Sequence, residues 1–549
     1  MLRRDFLSAS PMAFALAAQS VGGSAIPVGR SILDYGAKPD GGTLNTRSIQ
    51  RAIEDAFRAG GGLVYVPPGT FLTGGLELKS RVTLYLEAGA VLLGSPSIKD
   101  YTYFPGPPEK GDANGHHLLF ARKADDISVC GLGTINGQGE AYRRNVHRAP
   151  VKPEDMWKDV VTFDYAPVDN LRPSPMLEFA ECRNVRISGV TLMNASGWTL
   201  RPVACETVVI DGIRIRNPNY GTNTDGLDIT ACRNVFVSNC DIATGDDAIR
   251  IKSENPYGTV LPTKNVTITN CVLTTSCNGL KLGTATFGAF ENIVFSNSVI
   301  YNDANSPLNT HVIGGINVEM VDGGSIDGIA VSNIRMQNVR TPIFVRLGQR
   351  TKGQNTFLRN VSIEGIDADG AVVTNSITGV PGLRPRDISI SNCRFRTVEG
   401  GAAEWRERLI PEAANLYPES RMMGRLPAYG LYVRHADRIR LRDLEFITGK
   451  PDARPAIVSD DVEDIILSGL EMSAPAGNAP LIDLRTTRRA FLTGMRAPDT
   501  ARVFAEVSGA GSRNIVMQGN HHPAGQIPVQ YSNGATADSS KADQGVREF

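Results

Sequence analysis

The sequence predicts an all-β fold, a parallel β-helix, from two observations. A short unit of the form (Arg/Asn/Asp)-(Val/Ile)-x-(Val/Ile)-(Ser/Asp)-(Gly/Asn) recurs along most of the 549 residues, at gaps that mostly fall between 23 and 36 residues. In addition, 56 glycines and 32 prolines are spread over the whole length, which suits many short strands joined by turns. A period in the twenties built from short strands is typical of one coil of a parallel β-helix.

Each repeat carries one apolar anchor, a valine or an isoleucine. The anchors are Val185, Val208, Val235, Val266, Ile293, Ile329, Val361, Ile388, Ile439, Ile465 and Ile515. The two largest gaps, of 51 and 50 residues, can each hold two coils or a long loop. The leucine frame of a leucine-rich horseshoe is missing, and a propeller needs longer repeats. We therefore predict one elongated domain over residues 32–519, followed by a polar, disordered tail over residues 523–549.

One short helix is predicted ahead of the repeats. Ile49, Ala52, Ile53 and Ala56 fall at helical spacing, and three glycines end the run. Because the helix precedes the first repeat, we expect it to cover the open end of the stacked strands. An uncovered end would pair with strands of other chains.

The N-terminal residues 1–25 resemble an export signal of the twin-arginine type. Arg3 and Arg4 are followed by Phe6 and Leu7, then by a short apolar run and small residues. The apolar run is too short to span a bilayer. We expect a soluble protein that is periplasmic or secreted, with no membrane partner.

Charge and cysteine placement exclude several classes of partner. Lys plus Arg and Asp plus Glu are equal at 57 each, so no overall basic field favours nucleic acid. Most of the eight cysteines fall at equivalent points of the repeat, which indicates packing as small apolar residues. None has paired metal-ligand spacing. We expect no metal, no cofactor and a monomer that binds a polysaccharide.

Two acidic motifs carry the candidate catalytic residues. Asp225 lies in NTDGLD, and Asp246 and Asp247 lie in GDDAIRIKS. Asp225 and Asp246 are 21 residues apart, so a β-helix would stack them on adjacent coils, about 4.8 Å apart. Carboxylates this close raise the pKa of at least one of them, as a general acid requires. The alternative is that these are ordinary turn residues, since a solenoid turns at every corner.

The chain resembles the polygalacturonase family, glycoside hydrolase family 28, over residues 33–350. The likeness includes DYGAKPDGG, VYVPPGTFLTGGLELKS, VTLYLEAGAVLLGS, LRP at 171–173, GVTLMNASGW and the two acidic motifs. The resemblance implies a right-handed parallel β-helix and hydrolysis with inversion. It makes Asp246 the general acid, with Asp225 and Asp247 positioning and deprotonating the attacking water.

The sequence departs from this family at two motifs. Asn278 stands where the family has a histidine, and Asn317 and Glu319 stand where it has an Arg-x-Lys pair. The family's basic residues help to hold a uronate on the leaving-group side, where we expect Glu319 to repel a carboxylate. Candidates for substrate binding are Asn223, Asn278, Lys252, Lys281, Arg346 and Arg350. An arginine among them offers a bidentate grip on a carboxylate.

These residues predict a glycoside hydrolase that cleaves a pectin-type polysaccharide, galacturonan or rhamnogalacturonan-like, with inversion. Two alternatives stay open from the sequence. One is a polysaccharide lyase or epimerase on the same fold. The other is a carbohydrate-binding solenoid that has lost catalysis.

Overall fold

The computed structural model describes residues 29–104, 115–145, 165–167, 171–302 and 311–542. Strands in successive coils pair in parallel, and the coils build a right-handed parallel β-helix. The predicted fold class is confirmed. The predicted export signal over residues 1–25 lies outside the described residues. No helix in the described part of the chain is long and apolar enough to cross a bilayer.

Three parallel sheets form the faces of the helix, here named A, B and C. Sheet A carries the candidate site. Its strands are Leu76–Glu77, Leu119–Arg122, Leu177–Ala180, Leu200–Val203, Leu227–Thr230, Ile249–Ser253, Asn278–Thr286, Val312–Met320, Val339–Leu347, Asn375–Thr378, Pro480–Arg485, Val503–Ser508 and Ile527–Ser532. The long strands Leu431–Thr448 and Ile457–Ser468 begin in sheet A and bend into sheet B.

Sheet B contains the apolar anchors of the repeat. Its other strands are Arg30–Ser31, Gly62–Val66, Val82–Leu86, Asp125–Gly131, Arg183–Ser188, Glu206–Asp211, Arg233–Ser238, Thr263–Thr269, Ala289–Tyr301, Ser325–Gln337, Phe357–Ala371, Arg386–Thr397, Arg488–Thr493, Arg513–Gln518 and Ser540–Ala542. Sheet C comprises Asp40–Leu44, Gly69–Thr73, Ala90–Gly94, Thr134–Asn136, Thr191–Met193, Arg214–Arg216, Asp241–Thr244, Val272–Thr275 and Glu471–Met472. A separate hairpin pairs Arg143–Asn145 with Tyr165–Pro167.

Helical segments are few and short. The α-helix Thr46–Arg58 buries Ile49, Ala52, Ile53 and Ala56 against the first coils, which confirms the predicted capping helix. Short 3-10 helices are Ile32–Tyr35, Ile98–Asp100, Gly139–Tyr142, Ala403–Trp405 and Ala537–Ser539.

The repeat motif encodes a corner as well as a core position. All eleven anchors are buried. The residue before each anchor has a positive φ in every coil: Asn184, Thr207, Asn234, Asn265, Asn292, Gly328, Asn360, Asp387, Arg438, Asp464 and Asn514. Asparagine tolerates this left-handed conformation better than most residues, which explains its frequency there. Its amide also bonds between coils, since Asn265 Nδ2 donates to Asn234 Oδ1 at 3.0 Å.

The cysteines are free and stack between coils as predicted. The backbone N–H of Cys182 donates to Cys205 Sγ at 3.4 Å, and that of Cys205 donates to Cys232 Sγ at 3.4 Å. Six of the eight are buried, where a thiol packs as a small apolar group.

The two large gaps between anchors have different structures. Ile388 pairs directly with Ile439, so the gap of 51 residues contains a long loop. Between Ile465 and Ile515 the strand Arg488–Thr493 supplies one further coil, with Ala490 in the anchor position. A small alanine at this position hides the repeat from a search for valine and isoleucine.

The predicted end of the domain at residue 519 is too early. Ile527–Ser532 pairs with Val503–Ser508, and Ser540–Ala542 pairs with Arg513–Gln518. The prediction of a disordered tail is therefore wrong for residues 523–542, because parallel pairing satisfies the backbone even where side chains are polar. Residues 543–549 of the predicted tail lie outside the described residues.

The long loop of the 51-residue gap lies over sheet A. We call residues 402–430 the covering segment. Met423 and Leu426 of this segment pack against Phe344, Tyr432 and Val458, which point outward from sheet A. A second apolar core therefore lies between the covering segment and the outer face of these coils.

Arg346, predicted to bind substrate, instead fastens the covering segment. It is 1% exposed and donates to Thr378 Oγ1 at 3.3 Å and to the backbone oxygens of Gly379, Glu412 and Ala413 at 3.0, 2.6 and 3.2 Å. Burial lowers its pKa to about 10, and the neighbouring Arg434 also lowers it. The prediction that Arg346 binds substrate is wrong, because these buried oxygens occupy its guanidinium.

We expect Arg346→Met to lower the free energy of unfolding by about 1–3 kcal/mol, because buried carbonyl oxygens lose their donors. Thermal unfolding and protease sensitivity of residues 402–430 measure the effect. The control is Arg394→Met, whose side chain is 51% exposed and which should change stability by less than about 0.5 kcal/mol. Equal stability of both variants would contradict the anchoring role.

Candidate active site

The two acidic motifs form adjacent loops that lead into sheet A. Leu227 pairs with Ile249, a spacing of 22 residues, so Asp225 stacks on Asp247, and Asp246 lies one residue earlier. The loops are joined by Thr224, whose Oγ1 donates to Gly221 O at 2.7 Å and accepts from the Gly245 N–H at 3.1 Å. The structure therefore brings the three aspartates together, with Asp247 rather than Asp246 directly above Asp225.

Asp246 is the most accessible of the three carboxylates. It is half-buried, whereas Asp225 and Asp247 are buried. Asp246 Oδ2 accepts from the Asn223 N–H at 3.2 Å, and its Oδ1 accepts from the Asp247 N–H at 2.8 Å. Burial raises the pKa of Asp246, and the negative charge of Asp247 raises it further. A raised pKa favours a carboxylic acid that donates a proton.

Asp225 is paired with Arg250. Arg250 Nη1 donates to Asp225 Oδ2 at 3.0 Å, while Asp225 Oδ1 has no hydrogen-bond partner. Burial raises the pKa of Asp225, as do Asp246 and Asp228, and Arg250 opposes them. Asp225 Oδ1 is therefore a buried acceptor that no group in the described part of the chain satisfies.

Asp247 differs from the other two because it is surrounded by donors. Asn278 Nδ2 donates to Asp247 Oδ1 at 2.6 Å, and Lys281 Nζ and Arg250 Nε lie 3.6 and 3.7 Å from Oδ2. Burial acts to raise the pKa of Asp247, but Lys281, Arg250 and Asn278 outweigh it and lower the pKa. Asp247 is therefore the aspartate best kept ionised, as a general base requires.

An amide relay supports Asp247 in place of the family's basic residues. Asn317 Nδ2 donates to Asn278 Oδ1 at 2.6 Å, so that Asn278 Nδ2 points at Asp247. Nearby Glu319 is fully buried, with no hydrogen-bond partner on either oxygen. Burial raises the pKa of Glu319 to about 8. This raised pKa weakens the repulsion that we expect from Glu319 at neutral pH.

Lys252 and Asn223 lie beside the aspartates and are held by different contacts. Lys252 Nζ is 3.6 Å from the centre of the Trp198 ring and 3.7 Å from Asp228 Oδ1, and burial lowers its pKa. Asn223 has a φ of 54° and contacts Asp246 through its backbone N–H. Asn223 therefore positions the acid through the main chain.

Arg350 is near the site but is already paired. Its Nε and Nη2 donate to Asp322 at 2.7 and 2.9 Å, a bidentate ion pair. Its guanidinium also lies 5.6 Å from the centre of the Tyr417 ring. Arg350 therefore makes its bidentate hydrogen bonds to the carboxylate of Asp322, where we predicted a substrate carboxylate. Arg346 lies away from the aspartates, beneath the covering segment.

Two site residues come from the covering segment and were missed in the sequence. Lys281 Nζ lies 3.1 Å from the Tyr417 hydroxyl. Burial raises the pKa of the half-buried Glu419, while Arg421 and Lys281 act to lower it. These residues lie far along the chain from the acidic motifs and outside the repeat. Only the length of the 51-residue gap signalled a loop there.

Asp246, Asp247 and Cys277 have potential metal-ligand atoms within 4.8 Å of one another. Lys281 and Arg250, both within 3.7 Å of Asp247, oppose a second cation there by charge repulsion. The same carboxylates are suited to proton transfer: one accessible acid with a raised pKa lies beside one buried, ionised base.

Comparisons with known proteins agree with this site. Residues 108–381 match the family model described as Glycosyl hydrolases family 28, and residues 29–150 match that of Rhamnogalacturonase A/epimerase, pectate lyase-like. A probable polygalacturonase of Vitis vinifera is 27% identical over 66% of this chain and 73% of its own length. An endo-polygalacturonase of Pectobacterium carotovorum subsp. carotovorum is 25% identical over 70% of this chain and 91% of its own.

Solved structures show the same fold. An exopolygalacturonase from Thermotoga maritima superposes with a TM-score of 0.55 at 22% identity, covering 76% of this chain and 91% of that one. A family 28 exopolygalacturonase of Yersinia enterocolitica gives a TM-score of 0.57 at 18% identity, covering 82% and 79%. The matched family model spans both acidic motifs and the stacked aspartates. The chain therefore belongs to glycosyl hydrolase family 28.

Proposed function

We propose that this protein hydrolyses a glycosidic bond of a pectin-type polysaccharide with inversion at the anomeric carbon. The observation that carries the proposal is the contrast between Asp246, an accessible carboxyl whose pKa is raised, and Asp247, a buried carboxylate whose pKa is lowered. A glycosidase needs one protonated and one ionised carboxyl at the cleaved bond, and inversion is what the resemblance to family 28 implies.

In this mechanism Asp246 protonates the leaving oxygen, which is consistent with its greater accessibility. Asp247, with Asp225 stacked on it, takes a proton from the attacking water. Arg250 bridges Asp225 and Asp247 and so holds the two carboxylates in a fixed relation. Each proton moves between a named carboxyl and the substrate or water, and no other group is required.

The charge balance favours a neutral sugar on at least one side of the cleaved bond. Arg250, Lys281 and Lys252 each lie within 4 Å of an aspartate, so the local cations are already compensated. A uronate placed against them would have to compete with an aspartate for each cation. A backbone that alternates uronate and neutral sugars, as in rhamnogalacturonan, fits this balance better than a chain of uronates alone.

A screen of defined pectic oligosaccharides tests the substrate and the reaction together. We expect hydrolysis products whose masses include one added water and whose new anomeric configuration is inverted, as read by NMR at early times. Faster cleavage beside a neutral sugar than between two uronates supports the charge argument. Absorbance from an unsaturated uronide would instead identify a lyase.

We expect Asp246→Asn to lower kcat by about 10²–10⁴-fold, because the leaving oxygen loses its proton donor. Substrate binding, measured by calorimetry, should persist. The control is Asp367→Asn, whose side chain is 47% exposed on sheet B. Full activity of Asp246→Asn would exclude the assigned acid, and binding without turnover in the unmodified protein would indicate a binding protein.

We expect a bell-shaped dependence of kcat/KM on pH. Activity requires protonated Asp246, so it falls as pH rises through the raised pKa of that group. It also requires ionised Asp247, so it falls as pH drops through the lowered pKa of Asp247. Asn278→Ala removes a donor from ionised Asp247 and should move the acidic limb to higher pH.

The matched control for this variant is Asn478→Ala, an exposed asparagine on a distant coil. Its pH profile should equal that of the unmodified protein. An unshifted acidic limb in Asn278→Ala, with reduced activity at all pH values, would contradict the role of the amide relay.

A further inference from the structure

We propose, building on the hydrolase function above, that this enzyme removes single sugars from a chain end and does not cut within chains. The reason is the shape of sheet A, whose outer face is closed on both sides of the aspartates. An internal cut requires an open groove through which a polysaccharide passes, whereas a pocket accepts a chain terminus.

One row of outward-facing residues shows this closure. Consecutive coils place in register Phe120, Glu178, Arg201, Asp228, Arg250, Lys281, Asn317, Phe344, Ser376, Tyr432, Val458 and Asp483. On an open face such a row lies in solvent. Here every member is buried except Arg250, whose side chain is 12% exposed. The opening in this row therefore coincides with the residue that bridges Asp225 and Asp247.

The wall on the N-terminal side consists of aromatic and charged residues. Phe104 stacks on Phe120 with ring centres 4.2 Å apart, and His117 stacks on the same ring at 5.2 Å. Tyr257, from the loop after Ile249–Ser253, donates a hydrogen bond from its hydroxyl to Glu178. The centre of its ring lies 4.5 Å from the guanidinium carbon of Arg122. These contacts cover the coils that precede the acidic motifs.

The floor between this wall and the aspartates is also filled. Lys252 lies over Trp198 and beside Asp228, and its Nζ is 3.9 Å from Glu254. The closed region therefore extends to the coil next to Arg250.

The wall on the C-terminal side is the covering segment. Tyr417 contacts Lys281, one coil beyond Arg250, and Thr341 Oγ1 donates to Ser420 Oγ at 3.0 Å. The Gln349 N–H donates to Ala414 O at 2.7 Å. Polar contacts and the apolar core under Met423 thus hold this wall against several coils.

The two walls are close together. Tyr257 attaches to the coil of Glu178 and Tyr417 to that of Lys281, four coils apart, which corresponds to about 19 Å at about 4.8 Å per coil. Side chains of both walls occupy part of this span. A polysaccharide that ran along the helix axis over sheet A would collide with one wall or the other, whereas a chain end can enter between them.

The experiment follows products and viscosity on polygalacturonate and on rhamnogalacturonan. We expect a monosaccharide from the first time points, with viscosity nearly constant while reducing ends increase. A ladder of internal fragments with an early fall in viscosity would overturn the proposal while leaving hydrolysis intact. No hydrolysis of either polymer or of the defined oligosaccharides would reject the proposed function itself.

Wall variants test the structural cause. Tyr417→Ala and Tyr257→Ala each remove a ring from a wall, whereas Tyr417→Phe and Tyr257→Phe keep the ring and lose only the hydroxyl. We expect at least one alanine variant to raise severalfold the rate on long oligosaccharides relative to short ones, with no such change in its phenylalanine partner. Equal ratios in all four folded variants would contradict the role of the walls.

Discussion

The structure depends on parallel strands that stack in register, coil upon coil, at a spacing of about 4.8 Å. This constraint turns a distance of one coil along the chain into direct contact. It buries the valine and isoleucine anchors in one continuous core and aligns the asparagine corners. It also brings Asp225 and Asp247, which are 22 residues apart in the chain, into contact on adjacent coils. The same regularity that stabilises the fold therefore concentrates negative charge at one point.

That concentration of charge is tolerable because the neighbouring coils supply compensating groups. Arg250 and Lys281 occupy the two coils next to Asp225, and the Asn278–Asn317 relay adds donors without adding charge. Burial raises the pKa of Glu319 to about 8, which reduces the negative charge that this residue adds at neutral pH. Burial places these aspartates in a low-dielectric environment, where their different neighbours give chemically identical carboxyls different pKa values. Acid and base chemistry can then occur at one site.

The loops add a second level of organisation to the stacked coils. Residues of the covering segment pack on Phe344 and Tyr432, so outward positions of sheet A become core. Arg346 illustrates the consequence, because an arginine predicted to face substrate instead binds the backbone of that segment. The shape of the catalytic pocket is thus decided by elements that lie outside the repeat.

The sequence by itself determined the parallel β-helix, its capping helix and the three aspartates, because both the repeat and the acidic motifs are local patterns that report one coil at a time. It did not reveal the coil in which Ala490 takes the anchor position, or the strands past residue 519, where Ser540 takes it. Only the tertiary structure decided which cations are already paired, which carboxyl stays ionised and how loops cover the outer face of sheet A. Those properties arise between residues far apart in the chain, through burial and loop packing, and no local pattern records them.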